Sequence, residues 1–333
     1  MKIVTTAENL QTYQIYLRII QTIEKFLQEN NYLKLDLPAL SPALIPEGYL
    51  EIFKTEFRYL DTKDALFLTP SPELFIKRLL SEGIGDCYSM GKSFRNSEPS
   101  SPKHQPEFTM LEWYKVGKDY KYMAHEVLKM LSEISWELFG KKTITYQGKS
   151  VSFDKWEEMT VAESFKKYAD ISSEELFDPN TFIAKAQKKG YVTDGFTYMD
   201  IWSQIYAQEI ENNLGTSGFP TILYDYPIQF AALSKPNSDG KTAQRFEFYI
   251  EGTELGNCFS ELTDASLQKK RFVEDDCERM KSGKIEHPVD WGFIEALEKG
   301  LPESTGIAIG IERLGMIFTN SKNIEDLKLI SIK

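Results

Sequence analysis

The first thirty residues carry apolar side chains at helical spacing. Tyr13, Leu17, Ile20, Ile23 and Leu27 fall on one side of a helix predicted over Thr5 to Glu29, opened by a capping box of Thr5 and Glu8. The periodicity then breaks at Leu35-Asp-Leu-Pro-Ala-Leu-Ser-Pro, where Pro38 and Pro42 exclude helix and favour an extended segment at a sheet edge or an interface. Cys87 to Arg95 and Glu107 to Tyr114 read as strands. The polar stretch between them, Asn96 to Gln105, holds Pro99 and Pro102, so the three pieces predict a long-looped β-hairpin. From Tyr120 to Phe139 and from Glu157 to Asn213, helical spacing alternates with breakers such as Asp178-Pro179 and Lys189-Gly190, with a short strand near Val151. This middle, about residues 118–215, reads as a mostly helical insertion in one continuous domain covering 1–333. Strand character returns at Thr221-Ile-Leu-Tyr. Arg245 to Ile250 and Glu254 to Phe259 then flank the turn Glu251-Gly252 as a second hairpin. A helix follows over roughly Ala265 to Lys281, and the small-residue strand Gly306-Ile-Ala-Ile-Gly runs into a helix that begins near Glu312.

Composition narrows the class. A chain of 333 residues with 41% hydrophobic content can bury a large core, and no low-complexity stretch marks a tether. A net charge of −11 without a basic run argues against a free-standing tRNA binder. The start, MKIVTTAENL, lacks the apolar core of a secretory signal and no apolar run reaches bilayer length, so a cytoplasmic protein away from membranes is expected. Three cysteines, Cys87, Cys258 and Cys277, with no CxxC spacing, support neither a disulfide framework nor a zinc site. With three histidines at unrelated positions, carboxylates are the expected ligands for any metal.

The pattern also sets out candidate chemistry. The strand period puts Phe108, Met110, Glu112 and Tyr114 on one face and Thr109, Leu111 and Trp113 on the other. An unpartnered carboxylate is costly to bury, so a face mixing a ring, an acid and a phenol points to a ligand surface; a solvated outer face is the plain alternative. Arg95 closes the facing strand with a guanidinium suited to phosphate oxygens, and His104 in the loop is a candidate for an outer phosphate. Glu247, Glu254 and Glu261 fall at seven-residue steps. The first two face each other across the predicted hairpin, where like charges repel unless a cation such as phosphate-bridging Mg²⁺ lies between them; separate surface glutamates are the alternative. In GIAIGIER the small residues leave room against the backbone, and Arg313 sits in the first turn of the next helix. The segment lacks the GxxxxGK[ST] pattern of a P-loop.

Taken together, FRN-x-E, H-x-PEFTMLEWY, EGTELGNCFSELTDA and GIAIGIERL resemble motif 2, the segment before motif 3, and motif 3 of class II lysyl-tRNA synthetases. The resemblance is closer still to the elongation factor P (R)-β-lysine ligases, paralogues without an anticodon-binding OB domain. It implies an α+β fold, the class II catalytic domain with an antiparallel sheet flanked by helices, and an adenylating ligase that uses ATP and Mg²⁺. Arg95 and Arg313 would stabilise charge at the reacting phosphate. ATP would be held by Arg95, Asn96, Ser97, His104, Gln105, Phe108, Glu254, Leu255, Gly310 and Arg313, with adenine between Phe108 and Arg313, and the metal by Glu247 and Glu254. Lysine or (R)-β-lysine would be read by Ser71, Pro72, Glu73, Glu112, Tyr114, Glu261 and Ala308. Glu73 would take the backbone-side amine and Glu261 the ε-ammonium. Ala308 stands where lysyl-tRNA synthetases have glycine and the ligases have alanine. Ser97, Gln105, Gly256 and Cys258 depart from the ligase pattern, and Gly256 is the synthetase-like choice. The resemblance further implies elongation factor P as acceptor and a homodimer through the Pro38 segment, which is similar to motif 1. A compact lysyl-tRNA synthetase that charges tRNA and a catalytically silent ATP or amino-acid sensor are the other readings.

Overall fold

The computed structural model describes residues 2–97 and 101–332. The elements run β1 (Ile3–Thr5), α1 (Leu10–Glu29), β2 (Leu33–Lys34), β3 (Leu40–Ser41), β4 (Phe53–Tyr59), β5 (Thr62–Leu68), α2 (Glu73–Ser81), β6 (Cys87–Phe94) and β7 (Glu107–Val116). Then come α3 (Tyr120–Phe139), β8 (Thr143–Tyr146), β9 (Lys149–Ser152), β10 (Glu157–Thr160), α4 (Val161–Ala169), α5 (Ser173–Leu176), α6 (Pro179–Lys188), α7 (Tyr198–Ile205), β11 (Thr221–Pro227), β12 (Thr242–Ile250) and β13 (Thr253–Ser260). The chain closes with α8 (Ala265–Lys281), α9 (Trp291–Gly300), β14 (Ser304–Gly310), α10 (Ile311–Phe318) and β15 (Ile330–Ile332). Among the described residues no helix is long and apolar enough to cross a membrane.

The chain divides into two compact units, Met1–Asp119 with Glu261–Lys333, and Tyr120–Ser260. In the first, the strand order is β14-β7-β6-β2, antiparallel except for the short β2, which runs parallel to β6. The hairpin register pairs Cys87 with Tyr114 and Phe94 with Glu107, as the sequence leads one to expect. Small residues flank the mixed face of β7: Gly91 and Gly310 lie beside Met110, Ser89 and Ala308 beside Glu112, and Gly306 beside Tyr114. Met110, Glu112 and Tyr114 of that face are nonetheless buried. β3 forms the outer strand of a separate three-stranded sheet, in keeping with the edge position inferred from the prolines.

Two expectations at the N-terminus are overturned. Thr5 belongs to β1, which pairs Ile3 with Ile332, and a short 3₁₀ turn at Ala7–Asn9 precedes α1 without a side-chain cap, so the Thr5/Glu8 capping box does not form. The buried stripe of α1 is Tyr16, Ile19, Ile23, Phe26 and Leu27, while Leu17 is exposed. Apolar residues lie on both sides of this helix, and tertiary packing, which periodicity does not contain, chose between two near-equal stripes.

In the second unit β10, β11, β12 and β13 are neighbours in that order, with β10 parallel to β11 and the rest antiparallel. The stretch read as a helical insertion holds α3 to α7 together with β8, β9 and β10. Its core stacks Trp202 on Tyr206, with ring centroids 4.8 Å apart, and packs Phe165 and Phe182 beside them. The β12–β13 turn has φ of 47° at Glu251 and 64° at Gly252, the double left-handed conformation of a type I′ turn.

Candidate active site

At the end of β5 the chain turns through Pro70 and Ser71, and Pro72 caps α2 so that Glu73 opens the helix. Ser71 fixes this corner twice. Its hydroxyl accepts the Glu73 N–H at 3.0 Å and donates to Glu112 Oε1 at 2.6 Å. Tyr114 donates to the other Glu112 oxygen at 2.9 Å. Glu261 joins the same group through Lys77, whose ammonium lies 2.5 Å from both Glu73 Oε1 and Glu261 Oε2. Glu112 and Glu261 are buried, at 2% and 1% exposure. The substrate-side set from the sequence, Ser71, Pro72, Glu73, Glu112, Tyr114, Glu261 and Ala308, is therefore gathered in one place, with Ala308 directly opposite Glu112 on β14.

Burial, reinforced by the Glu73 charge, pushes the Glu112 carboxyl up to about 8. Burial also pushes Glu261 up to about 7, against the opposing pull of Lys77. These groups titrate from a usual value of 4.5 in the open chain, so the folded protein holds protons that the unfolded chain has released. Their stabilising contribution is complete below 4.5 and is lost as pH rises through 7 and 8. A cationic ligand needs the ionised forms. Its affinity is expected to rise between about pH 6 and 8.5, up to roughly tenfold per unit for each proton displaced. Calorimetric titration across that range checks this, and a flat profile contradicts it.

Over the other half of β7, the Arg95 guanidinium stands 5.3 Å from the Phe108 ring centroid. Arg313, in the first turn of α10, donates to the Lys103 carbonyl at 3.1 Å and meets His104 Nε2 at 2.7 Å, while Ser101 holds His104 Nδ1 at 2.8 Å. Phe108 and Arg313 are each one residue from a tie that the sequence did not reveal. Buried Glu312 accepts from the Thr109 N–H at 2.8 Å and from its hydroxyl at 2.9 Å, locking α10 onto β7. Replacing Glu312 by alanine is expected to cost about 2–3 kcal/mol for the charged hydrogen bonds lost. That is a fall of roughly 5–10 °C in melting temperature, measurable by calorimetry.

Gly310 has open space where a side chain would stand, its nearest contact being Arg313 at 4.0 Å. Asn96 donates to the Ile52 carbonyl at 3.2 Å and its Oδ1 accepts the Ser97 N–H at 2.9 Å, which holds the loop at its entry; Ser97 itself is exposed. Gln105 spends both ends of its amide within the protein, donating to Glu325 at 3.2 Å and accepting from Lys328. Glu98 of the FRN-x-E motif and Pro99 lie outside the described residues.

Glu247, Glu254 and Leu255 belong to the second unit. There the structure corrects the hairpin arithmetic: the two-residue turn puts Glu254 opposite Tyr249, and Glu247 is opposite Asn257 because Leu255 is an extra residue in a β-bulge. The two carboxylates share a face on a diagonal, and they do not stand directly across from one another. Glu247 Oε1 receives the Arg245 guanidinium at 2.5 Å, and Oε2 receives the phenols of Tyr226, at 2.7 Å, and Tyr249. Three donors leave about one of its four lone-pair directions open. This fits Mg²⁺, which draws most of its ligands from phosphates and water. Among the described residues no cluster of three or more metal-ligating side chains occurs.

Compared with known proteins, residues 1–331 match the family described as tRNA synthetases class II (D, K and N). The chain belongs to this family. A lysine–tRNA ligase from Carboxydothermus hydrogenoformans is 32% identical over 99% of the chain and 67% of its own length. Elongation factor P–(R)-β-lysine ligases are similar at 35% identity in Vibrio atlanticus and 34% in Vibrio cholerae, over 93% and 92% of the chain and 92% and 91% of their own lengths. The chain spans about two thirds of the length of the lysine–tRNA ligases it matches. Class II membership accounts for the α+β architecture and for the order of the motifs along the chain. It leaves open what Lys77 and Arg245 do. Lys77 is buried and Arg245 half-buried, and neither stood out from the other 37 basic residues (39 less these two) because nothing local marks them.

Proposed function

We propose that the protein activates lysine or (R)-β-lysine with ATP and transfers the aminoacyl group to a lysine side chain of elongation factor P. The observation that carries this reading is the cluster of half-buried Glu73 and buried Glu112 and Glu261 beside the Lys77 ammonium. Such a pocket suits an amino acid with two amines and repels an acidic one. The amino-acid carboxylate, already ionised, attacks the α-phosphorus of ATP. An O–P bond forms there and the bond to pyrophosphate breaks. Arg95 and Arg313 are the residues for charge stabilisation at that centre, and Phe108 for the adenine face. Glu247 and Glu254 are the residues that would hold Mg²⁺, whose chemistry there would be neutralisation of phosphate charge. An acceptor amine then attacks the mixed anhydride, the amide bond forms, and AMP leaves.

Ala308 favours the displaced amine of (R)-β-lysine, because its methyl stands directly opposite Glu112. Exposed Leu40, Phe57, Tyr59 and Leu60 on the three-stranded sheet support a homodimer through the segment around Pro38. The lysine–tRNA ligase relatives and Gly256 favour a second reading in which tRNA is the acceptor. Incubating the enzyme with ATP, each lysine isomer, and either elongation factor P or tRNA decides between them. Mass gain on the protein with (R)-β-lysine is expected; charging of tRNA alone overturns the acceptor.

A further inference from the structure

Lys77 is the one basic side chain contacting this acidic trio among the described residues, at 2.5 Å from Glu73 and 2.5 Å from Glu261, with its side chain 3% exposed. It lies one turn after Glu73 on α2, and its ammonium sits 6.0 Å from the Phe293 ring centroid on α9. Three carboxylates less one ammonium leave two negative charges when all are ionised, which equals the charge of the two ammonium groups of a diamino acid. Glu261 draws on Lys77 and on the Gly306 N–H. Two donors against about four lone-pair directions leave the carboxylate room for an incoming N–H.

We propose that Lys77 is a positioning residue, an internal counter-ion that favours the charged form of Glu261 and directs Glu73 and Glu261 into the pocket before the amines of the substrate arrive. This rests on the diamino-acid reading of the site. The groups that face it are Glu73 on its own helix, Glu261, Glu112 and Tyr114 on β7, and the Phe293 ring on α9; Glu47, on the loop after β3, lies near Glu73 and is itself pushed up to about 7 by burial, against the pull of Arg95. Without the ammonium, Glu112 and Glu261, which burial already raises toward neutrality and Lys77 pulls back, would relieve the repulsion by taking up protons. A dicationic substrate would then have to displace those protons.

The test uses the full chain with Lys77→Met, with Lys77→Arg, which keeps the charge, and with Lys77→Met combined with Glu261→Gln, which removes one charge of each sign. In ATP-pyrophosphate exchange, Lys77→Met is expected to raise the amino-acid KM about tenfold at pH 7, leave the ATP KM unchanged, and move the acid limb of kcat/KM up by about one pH unit. Lys77→Arg should keep the limb at the wild-type position. A Lys77→Met limb that does not move makes Lys77 a space-filling residue and overturns the proposal. A second arm needs no substrate. Carboxyls with raised pKa lose their stabilising contribution as pH rises, and the variant raises them further, so the melting-temperature gap between Lys77→Met and wild type should widen from pH 6 to 8.5. The double variant should recover part of that gap at pH 8.5. A gap independent of pH, or no recovery in the double variant, overturns the counter-ion role. Should wild type activate no lysine-type amino acid, the functional reading fails on its own, and the melting arm still decides the role of Lys77.

Discussion

Replacing Glu261 by glutamine is expected to lower kcat/KM for the amino acid by about 10²–10³-fold, roughly 3–4 kcal/mol, as follows when one partner of a buried charge pair is removed. The loss should appear in the amino-acid KM and leave the ATP KM within roughly threefold, because Glu261 pairs with Lys77 while Arg95, Phe108 and Arg313, the residues proposed for the nucleotide, make separate contacts. Glutamine preserves the shape and removes the charge, which isolates the electrostatic part. The variant also leaves Lys77 with Glu73 as its remaining ion-pair partner, so a modest fall in melting temperature accompanies the kinetic defect. An amino-acid KM that stays at the wild-type value would remove Glu261 from the binding of the ammonium.

A single methyl on Gly306 should be almost as damaging, through sterics. A β-carbon there would lie 2.3 Å from Tyr114 Cε1 and 2.6 Å from Glu261 Oε1, inside any real contact distance. To admit it, Tyr114 must swing away from Glu112, whose carboxylate it holds at 2.9 Å, and Glu261 must retreat. Gly306→Ala is expected to cost about 1–3 kcal/mol of stability from overpacking. Amino-acid activation is expected to fall by at least about 100-fold, because the polar groups of the pocket then miss their positions by an ångström or more. Exchange kinetics together with a melting curve measure both. At Gly310 the same substitution meets only Arg313, 4.0 Å away, so Gly310→Ala should retain the fold and, if altered, change the ATP KM alone. Equal behaviour of the two alanine variants would contradict this division of β14.

Much of this architecture was visible in the residues. The β6–β7 hairpin, α3 and α8 end within a residue or so of the expected limits because their signals are local: alternation bounded by a proline-bearing loop, or helical spacing bounded by glycine. The face of Phe108, Glu112 and Tyr114 followed from the period of a strand, and family resemblance supplied the partners on α2 and β14. Features set by distant pairing stayed hidden. Residue 3 meets residue 332, Glu312 reaches Thr109 across 203 positions, and the bulge at Leu255 sets Asn257 instead of Gly256 opposite Glu247. Lys77 was hidden for another reason. A lysine four residues after a glutamate on a helix is ordinarily a solvated surface pair, and only burial against Glu261 distinguishes this one.

The central claim is that a buried surplus of negative charge selects an amino acid with a second amine for adenylation. ATP-pyrophosphate exchange with α-lysine, (R)-β-lysine, norleucine and aspartate tests it most directly, since norleucine matches the length of lysine and lacks only the ε-ammonium. Exchange with one or both lysines, and none with norleucine or aspartate, is the predicted result. Exchange supported as well by norleucine as by either lysine would contradict the account.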